Sequence, residues 1–119
     1  MRYLLLALIA AGVAVPALAL SNARTDHSGH YYLQGVMETG SELLLRRDGR
    51  FQWYLSYGAL DLFAEGRWSE KDGIVLLTAE KTKDVPEPGF KTLQLTVRDA
   101  DLIPPDGHGA YVLPPSKED

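Results

Sequence analysis

The sequence predicts an all-β fold, an antiparallel meander of six to seven strands. Apolar and polar residues alternate along the chain, turn residues interrupt this alternation at regular intervals, and no helical stripe of apolar residues occurs between Tyr31 and Val97. The predicted strands are Tyr31–Met37, Glu42–Arg46, Arg50–Tyr57, Leu60–Ser69, Ile74–Ala79 and Lys91–Arg98, with a short seventh at Ala110–Leu113. Because the sequence contains neither a repeat nor an interdomain linker, we expect residues 30–113 to form a single domain.

The first residues differ in character from the rest of the chain. Arg2 precedes an apolar run, Leu4–Val15, that is too short to span a bilayer, and an Ala-x-Ala triplet follows it. This order is typical of a cleavable secretory signal. We expect residues 1–23 to be a signal peptide that is cleaved after Ala19 or Ala23. The product is then periplasmic or secreted, with no stable membrane anchor after cleavage.

The composition limits the classes of function. With 12 basic against 16 acidic side chains the formal net charge is −4, and the largest cationic cluster is Arg46, Arg47 and Arg50. We therefore expect no nucleic-acid partner. The chain has no cysteine, which excludes disulfides and a cysteine nucleophile. A domain of this size without disulfides is stabilised by its hydrophobic core alone, a composition that suits a bacterial periplasm.

The turn between the second and third strands fixes their register. A two-residue Asp-Gly turn would set polar residues opposite apolar ones on both faces of the sheet. A three-residue loop at residues 47–49, with Gly49 left-handed, avoids this mixture and is preferred. It pairs Leu45 with Phe51 and Leu43 with Trp53.

The next turn, Gly58-Ala59, places glycine at the first position of a type II′ turn. The resulting pairs are Tyr57 with Leu60, Leu55 with Leu62, Trp53 with Ala64 and Phe51 with Gly66. The two largest residues thus meet the two smallest, which avoids overpacking. We therefore expect Gly66→Val to clash with Phe51 and to unfold the domain.

The register of the later strands stays open. Ile74–Leu77 is apolar at every position, which indicates a strand covered on both sides but gives no pairing. Lys81–Gly89 is predicted to be a long loop, and the prolines at positions 104 and 105 end the strand before them. We expect residues 24–29 to be a flexible leader and residues 114–119 a disordered tail.

Several short motifs follow one another between Tyr31 and Ala79. They are Gly35, Glu42-Leu43-x-Leu45-x-x-Asp48-Gly49-x-Phe51-x-Trp53, Gly66-x-Trp68 and Gly73-x-Val75-x-Leu77. Together they resemble the antiparallel meander of lipocalin-like (calycin-type) bacterial envelope proteins. The resemblance implies an up-and-down barrel or half-barrel with capacity for a ligand, but no particular substrate. Because a closed barrel takes about eight strands, six or seven predict either an incomplete barrel flattened into a sandwich or edges that pair between chains.

The inner face of the meander is the first candidate ligand site. Its large residues are Phe51, Trp53, Leu55, Tyr57, Leu62 and Trp68. In a lipocalin-like barrel these side chains line a cavity for an apolar molecule, and the tyrosine and indole groups supply its polar contacts. The alternative is that they form only the core. We assign them to packing first and to a ligand second, because a small domain needs its large aromatics to offset chain entropy.

The opposite face is the second candidate. The predicted registers place Tyr54 across from Phe63 on this face, among polar residues. Those neighbours are Glu42, Gln52, Ser56, Asp61, Glu65 and Arg67. An aromatic pair ringed by polar groups is typical of a small binding site for a partner or a sugar ring. The alternative is a cross-strand pair that stabilises the sheet by about 0.5–1 kcal/mol.

Signals for catalysis and metal binding are weak. His27 and His30 would hold zinc or copper only if a third ligand joined them, and we predict no metal site. Asp61 and Glu65 share a face, but four residues along a strand span about 13 Å, more than the roughly 5–9.5 Å between glycosidase carboxylates. The sequence contains no nucleophile elbow, zinc-protease helix or phosphate loop, so neither an enzyme nor a cofactor is expected.

Two functional interpretations remain. The first is a non-enzymatic binding module for an apolar small molecule or a partner. Its candidate contact residues are Phe51, Trp53, Tyr57, Trp68, Tyr54 and Phe63. The alternative is a structural or assembly subunit of the cell envelope that acts by strand-edge pairing or as a homodimer.

Overall fold

The alternation of side chains along the chain produces a barrel with an apolar inside and a polar outside. A computed structural model describes residues 27–115, in which eight antiparallel strands follow one another and close into a barrel. The strands are β1 (Gly29–Gln34), β2 (Thr39–Leu45), β3 (Arg50–Tyr57), β4 (Leu60–Lys71), β5 (Ile74–Ala79), β6 (Thr92–Arg98), β7 (Asp101–Ile103) and β8 (Ala110–Val112). Each strand pairs with the next, and β8 pairs with β1.

The predicted all-β meander is confirmed, but the barrel is closed where the sequence suggested an incomplete one. The strand that the sequence did not reveal is β7, which has only three residues. It turns back from β6 at Asp99, whose φ is 56°, and pairs Leu102 with Val97. On its other side Leu102 pairs with Tyr111 of β8. These few pairs connect β6 through β7 to β8, which closes the barrel against β1.

The two registers predicted from turn chemistry are confirmed. Gly49 has a φ of 88°, and the pairs Leu45–Phe51 and Leu43–Trp53 form as expected. Across the Gly58 turn the four predicted pairs also form. Phe51 and Trp53 therefore point into the barrel, and the residues between them point outward.

The register that the sequence left open is set by the turn between β4 and β5. Asp72 and Gly73 have φ values of 53° and 78°, and two successive left-handed residues make a type I′ hairpin turn. This turn pairs Lys71 with Ile74 and carries the register down to Gly66 opposite Ala79.

Glycine at position 66 is required by close approach of the next strand. A Cβ atom there would overlap the carbonyl oxygen of Thr78 and lie 3.1 Å from the Cα of Ala79. The structure therefore supports the predicted need for glycine at position 66, but the cause is not the expected clash with Phe51. The limiting neighbour is the backbone of β5, which cannot move aside as a side chain can.

The long loop between β5 and β6 completes the wall of the barrel. Residues 80–91 lie along the part of β4 that β5 leaves unpaired, where the Glu80 and Gly89 amides donate to the carbonyl groups of Glu65 (2.9 Å) and Phe63 (2.8 Å). The loop then places Phe90 against the core, with its ring centroid 4.9 Å from that of Trp53. The sequence predicted this loop but not its contacts.

The two ends of the barrel differ. We call the end that carries the β2–β3 and β4–β5 turns the packed end. There the Trp68 indole donates to the Arg46 carbonyl (2.8 Å), and the Tyr31 hydroxyl donates to the His27 carbonyl (2.6 Å). His27 also contacts Glu70, with its Nδ1 atom 2.8 Å from Oε1. The opposite end, formed by the β1–β2 and β3–β4 turns and the β7–β8 loop, is called the open end.

The limits of the described chain bear on three sequence predictions. The predicted signal peptide, residues 1–23, lies outside the described residues, as do parts of the predicted leader and tail. Within the described part, β1 begins at Gly29, one residue before the predicted start of the domain. No helix in residues 27–115 is long and apolar enough to cross a membrane.

Candidate functional site

A cavity of about 340 Å³ occupies the open end of the barrel, and we call it the open-end cup. Its apolar lining residues are Leu33, Val36, Leu55, Leu60 and Pro104. Its polar lining residues are Thr39, Tyr57, Asp106, His108 and Tyr111. All ten lie at strand ends or in loops on this side of the barrel, so the cup is formed by the position of the strand ends rather than by one segment.

The floor of the cup is a hydrogen-bonded cluster of three side chains. The Trp53 indole N–H donates to Tyr111 Oη (3.0 Å), and Tyr111 Oη lies 2.7 Å from Ser41 Oγ. Since the Ser41 hydroxyl donates its proton to the Tyr54 carbonyl (2.6 Å), Tyr111 must be the donor to Ser41. Every polar hydrogen of the cluster therefore has an acceptor, and the floor is fixed.

Electrostatics keep this floor neutral. Burial raises the pKa of the Tyr111 hydroxyl above its usual range, and its hydrogen bonds with Ser41 and Trp53 oppose that shift only in part. Tyr111 is therefore protonated at neutral pH and keeps its donor role. Its oxygen retains one further lone pair.

The structure separates the predicted inner-face site residues. Phe51 and Trp53 are 1% and 7% exposed, and Phe90 packs against both rings, so they lie in the core. Trp68 is half-buried at the packed end. Tyr57, which is 55% exposed, lies at the rim of the cup. Of these four residues Tyr57 alone combines an exposed ring with a place in the cup lining.

The outer pair predicted from the sequence is present. Tyr54 and Phe63 are cross-strand partners with ring centroids 5.3 Å apart and planes inclined by 34°. They line a groove of about 320 Å³ on the outside of the barrel, which we call the outer groove. Its polar lining includes Glu42 and Glu65, as the sequence predicted, and also His30.

The two histidines considered as metal ligands have separate partners. His27 contacts Glu70 at the packed end, and His30 Nε2 lies 2.8 Å from Glu42 Oε1 in the outer groove. Among residues 27–115 no group of three or more His, Cys, Asp or Glu side chains is arranged to hold a metal ion.

Sequence reasoning missed the β7–β8 loop as part of a site. The sequence indicates Pro104 only as the end of the preceding strand and Tyr111 only as part of a short strand. The signal that could have indicated this site is a loop between two short strands. In a closed barrel such a loop lies at the end of the barrel. Without β7 in the prediction, that inference could not be made.

Comparison with known proteins gives no relative for this chain. No protein-family model, no curated protein and no solved structure matches it. The function is therefore argued from the geometry of the open-end cup and the outer groove.

Proposed function

We propose that the protein is a non-enzymatic binding module that holds a small apolar molecule in the open-end cup. The observation that carries this proposal is the asymmetry of the barrel interior, since one end is filled by side chains and the other encloses about 340 Å³. Small-molecule sites are concave, mostly apolar and supplied with a few polar groups, at roughly 300–1,000 Å³. The cup is at the small end of this range, so it suits a compact ligand.

The distribution of polar groups indicates how such a ligand would be oriented. Leu33 and Leu55 form apolar walls below the rim, and Tyr111 offers an acceptor at the floor. Tyr57, Asp106 and His108 stand at the mouth, where they contact solvent. A molecule with an apolar body and one polar end would bury the body and leave the polar end at the rim. The lipocalin-like resemblance of the meander favours the same location.

The alternative interpretation, an envelope subunit that pairs through a strand edge, finds less support. That mode needs an unpaired edge. In the described barrel each strand has a neighbour on both sides, so residues without a ladder partner on one side form only short stretches, such as Thr92–Leu95 of β6. Residues 80–91 bond to β4 at Phe63 and Glu65, where β5 does not pair with it. Formation of a homodimer through another surface stays a prediction.

Titration of the purified protein with N-phenyl-1-naphthylamine, a neutral apolar dye, tests the proposal. We expect enhanced dye fluorescence with saturation. Leu60→Asp places a charge at the rim of the cup and should weaken binding by about tenfold or more. Leu113→Asp is the matched control, because Leu113 is similarly exposed (43% against 50% for Leu60) but lies outside the cup.

Three results would overturn the proposal. They are no response to the dye or to a panel of fatty acids, equal weakening by both variants, and selective weakening by Leu113→Asp. The last result would place the dye in the groove beside β8 that Leu113 shares with Tyr32 and Pro114. Circular dichroism of each variant would show that the barrel is intact before binding is compared.

A further inference from the structure

The outer groove is separate from the open-end cup and lies across the outward faces of β1 to β4. Cross-strand pairing arranges its residues in two adjacent rows. One row is Glu42, Tyr54 and Phe63, and the other is His30, Leu44, Gln52 and Glu65. Val85 of the 80–91 loop forms one side of the groove. The strands and the loop therefore build a concave surface where an open sheet would be flat.

The base of the outer groove is aromatic. Phe63 is 50% exposed and Tyr54 is half-buried, and their centroid separation of 5.3 Å makes them one continuous ring surface. A large exposed aromatic residue next to a half-buried one leaves a ring face available to a ligand. Such faces carry negative charge density and attract cations as well as apolar groups.

The walls of the outer groove are acidic. Glu42 is the cross-strand partner of Tyr54, and Glu65 lies two residues beyond Phe63 on the same face. Each carboxylate is held by one oxygen: Glu42 Oε1 contacts His30, and Glu65 Oε2 accepts the Thr82 hydroxyl (2.5 Å). Their second oxygens have no partner among residues 27–115. Both carboxylates thus line the groove beside the aromatic base, and each has an acceptor oxygen to offer a donor.

The nearest positive charges do not neutralise this surface. Arg50 and Arg67 form the next cross-strand pair beyond Gln52 and Glu65, but neither lines the groove. Both guanidinium groups turn to Glu80, with Arg50 Nη1 and Arg67 Nε at 2.9 and 3.6 Å from its carboxylate. Among residues 27–115, the groove lining contains two carboxylates, no lysine or arginine, and His30, whose Nε2 contacts Glu42 Oε1.

We propose that the outer groove binds an organic ammonium ion, with its alkyl part on the Tyr54–Phe63 rings and its N–H groups on Glu42 and Glu65. A carboxylate is an acceptor only, so it matches an ammonium group, which is a donor only. A sugar hydroxyl both donates and accepts, and a neutral sugar gains nothing from the net negative charge. Charge complementarity together with ring stacking therefore selects the cation over the sugar.

The test is an amide-resonance titration of the purified protein by two-dimensional NMR, with n-butylammonium chloride as the probe. Methyl β-glucoside is titrated in parallel at the same concentration and ionic strength. We expect the ammonium probe to shift the amide resonances of Gln52, Tyr54 and Phe63 with saturation. The glucoside should leave these resonances in place.

Three variants assign the interaction to the groove. Glu42→Gln combined with Glu65→Gln should weaken ammonium binding at least fivefold, because it removes both charges and keeps the side-chain shape. Phe63→Leu should weaken it about threefold, since it removes the ring from an exposed position where the fold tolerates the change. Glu87 belongs to the 80–91 loop and does not line the groove. Glu87→Gln is therefore the matched control and should change ammonium binding less than 1.5-fold.

The proposal fails if the glucoside saturates these resonances while the ammonium probe does not, or if neither probe shifts them. It also fails if Glu87→Gln weakens binding as much as the double variant, because the effect is then one of net charge alone. Leu60→Asp in the open-end cup should leave ammonium binding unchanged. A negative result at one site therefore does not decide the other.

Discussion

The packed end and the open end of the barrel each bury a tyrosine, Tyr31 and Tyr111, but they use its hydroxyl differently. At the packed end the Tyr31 hydroxyl and the Trp68 indole donate to the main-chain carbonyl groups of His27, just before β1, and Arg46, in the β2–β3 turn. At the open end the Trp53 indole donates to Tyr111, and the Tyr111 hydroxyl donates to Ser41. The two rings thus find side-chain partners below the rim, and the open-end cup lies above them.

The comparison teaches that the location of a cavity follows from where buried polar groups find their partners. At the packed end the buried tyrosine and the tryptophan donate to the main chain of neighbouring segments. At the open end the tyrosine and the tryptophan hydrogen-bond to side chains instead, and a cavity lies beside them. The strands alternate apolar and polar residues at both ends, but the packed end has short turns and the open end includes the longer β7–β8 loop. The difference lies in a few hydrogen bonds, each of which can be removed singly.

The largest expected effect on stability comes from comparing two glycines, Gly66 near the packed end and Gly40 at the open end. Gly66→Ala should lower the free energy of unfolding by about 3 kcal/mol or more, because its Cβ would overlap the β5 backbone. Gly40→Ala is the control: nothing lies within 4 Å of a Cβ there, so stability should be unchanged or rise by about 0.5 kcal/mol. Urea denaturation measures both, and equal effects would refute the difference in packing.

The two tyrosines provide the second prediction. Tyr111→Phe leaves the buried Trp53 N–H without an acceptor and should cost about 1–3 kcal/mol. Tyr31→Phe frees the His27 carbonyl, which is only half-buried and can bind water, so its cost should be about 1 kcal/mol. Denaturant midpoints in the reverse order would contradict the view that the floor of the cup is the drier of the two sites.

The smallest effect concerns the turn at the packed end. The Arg50 amide and the Arg46 guanidinium donate to Asp48 (3.0 and 2.9 Å) and hold the pKa of its carboxyl below the usual 3.8. A lowered folded-state pKa adds stability above the unfolded pKa and loses it as the pH falls through the folded value. The difference in urea midpoint between wild type and Asp48→Asn should therefore shrink from about pH 6 to about pH 2. If the difference in urea midpoint did not change with pH, the carboxylate charge of Asp48 would make no contribution to stability.

Local chemistry was enough to predict the first half of the meander. The glycines of the 47–49 and Gly58 turns allow few registers, and the alternation of large and small residues selects one of them. The strand β7 escaped detection because three residues are too few to show a period of two. The packing of Phe90 was not predicted for another reason. Its ring contacts Phe51 and Trp53, which are distant from it in the sequence.

The two candidate sites were not equally predictable. The outer pair of Tyr54 and Phe63 follows directly from the register, because facing residues on adjacent strands are neighbours. The open-end cup does not follow from any register. It depends on how far the β7–β8 loop stands from the strand ends, and on Tyr111 having its partners below the rim, neither of which is encoded by pattern alone.

The pairing of β1 with β8 also governs the order of folding. Tyr32 and Val112 are partners about 80 residues apart in the chain, so the meander must be largely assembled before this seam can form. The same step brings Tyr111 to Trp53. The environment of the Trp53 indole therefore reports the closing step, and its fluorescence should be the slowest signal to reach the native value during refolding.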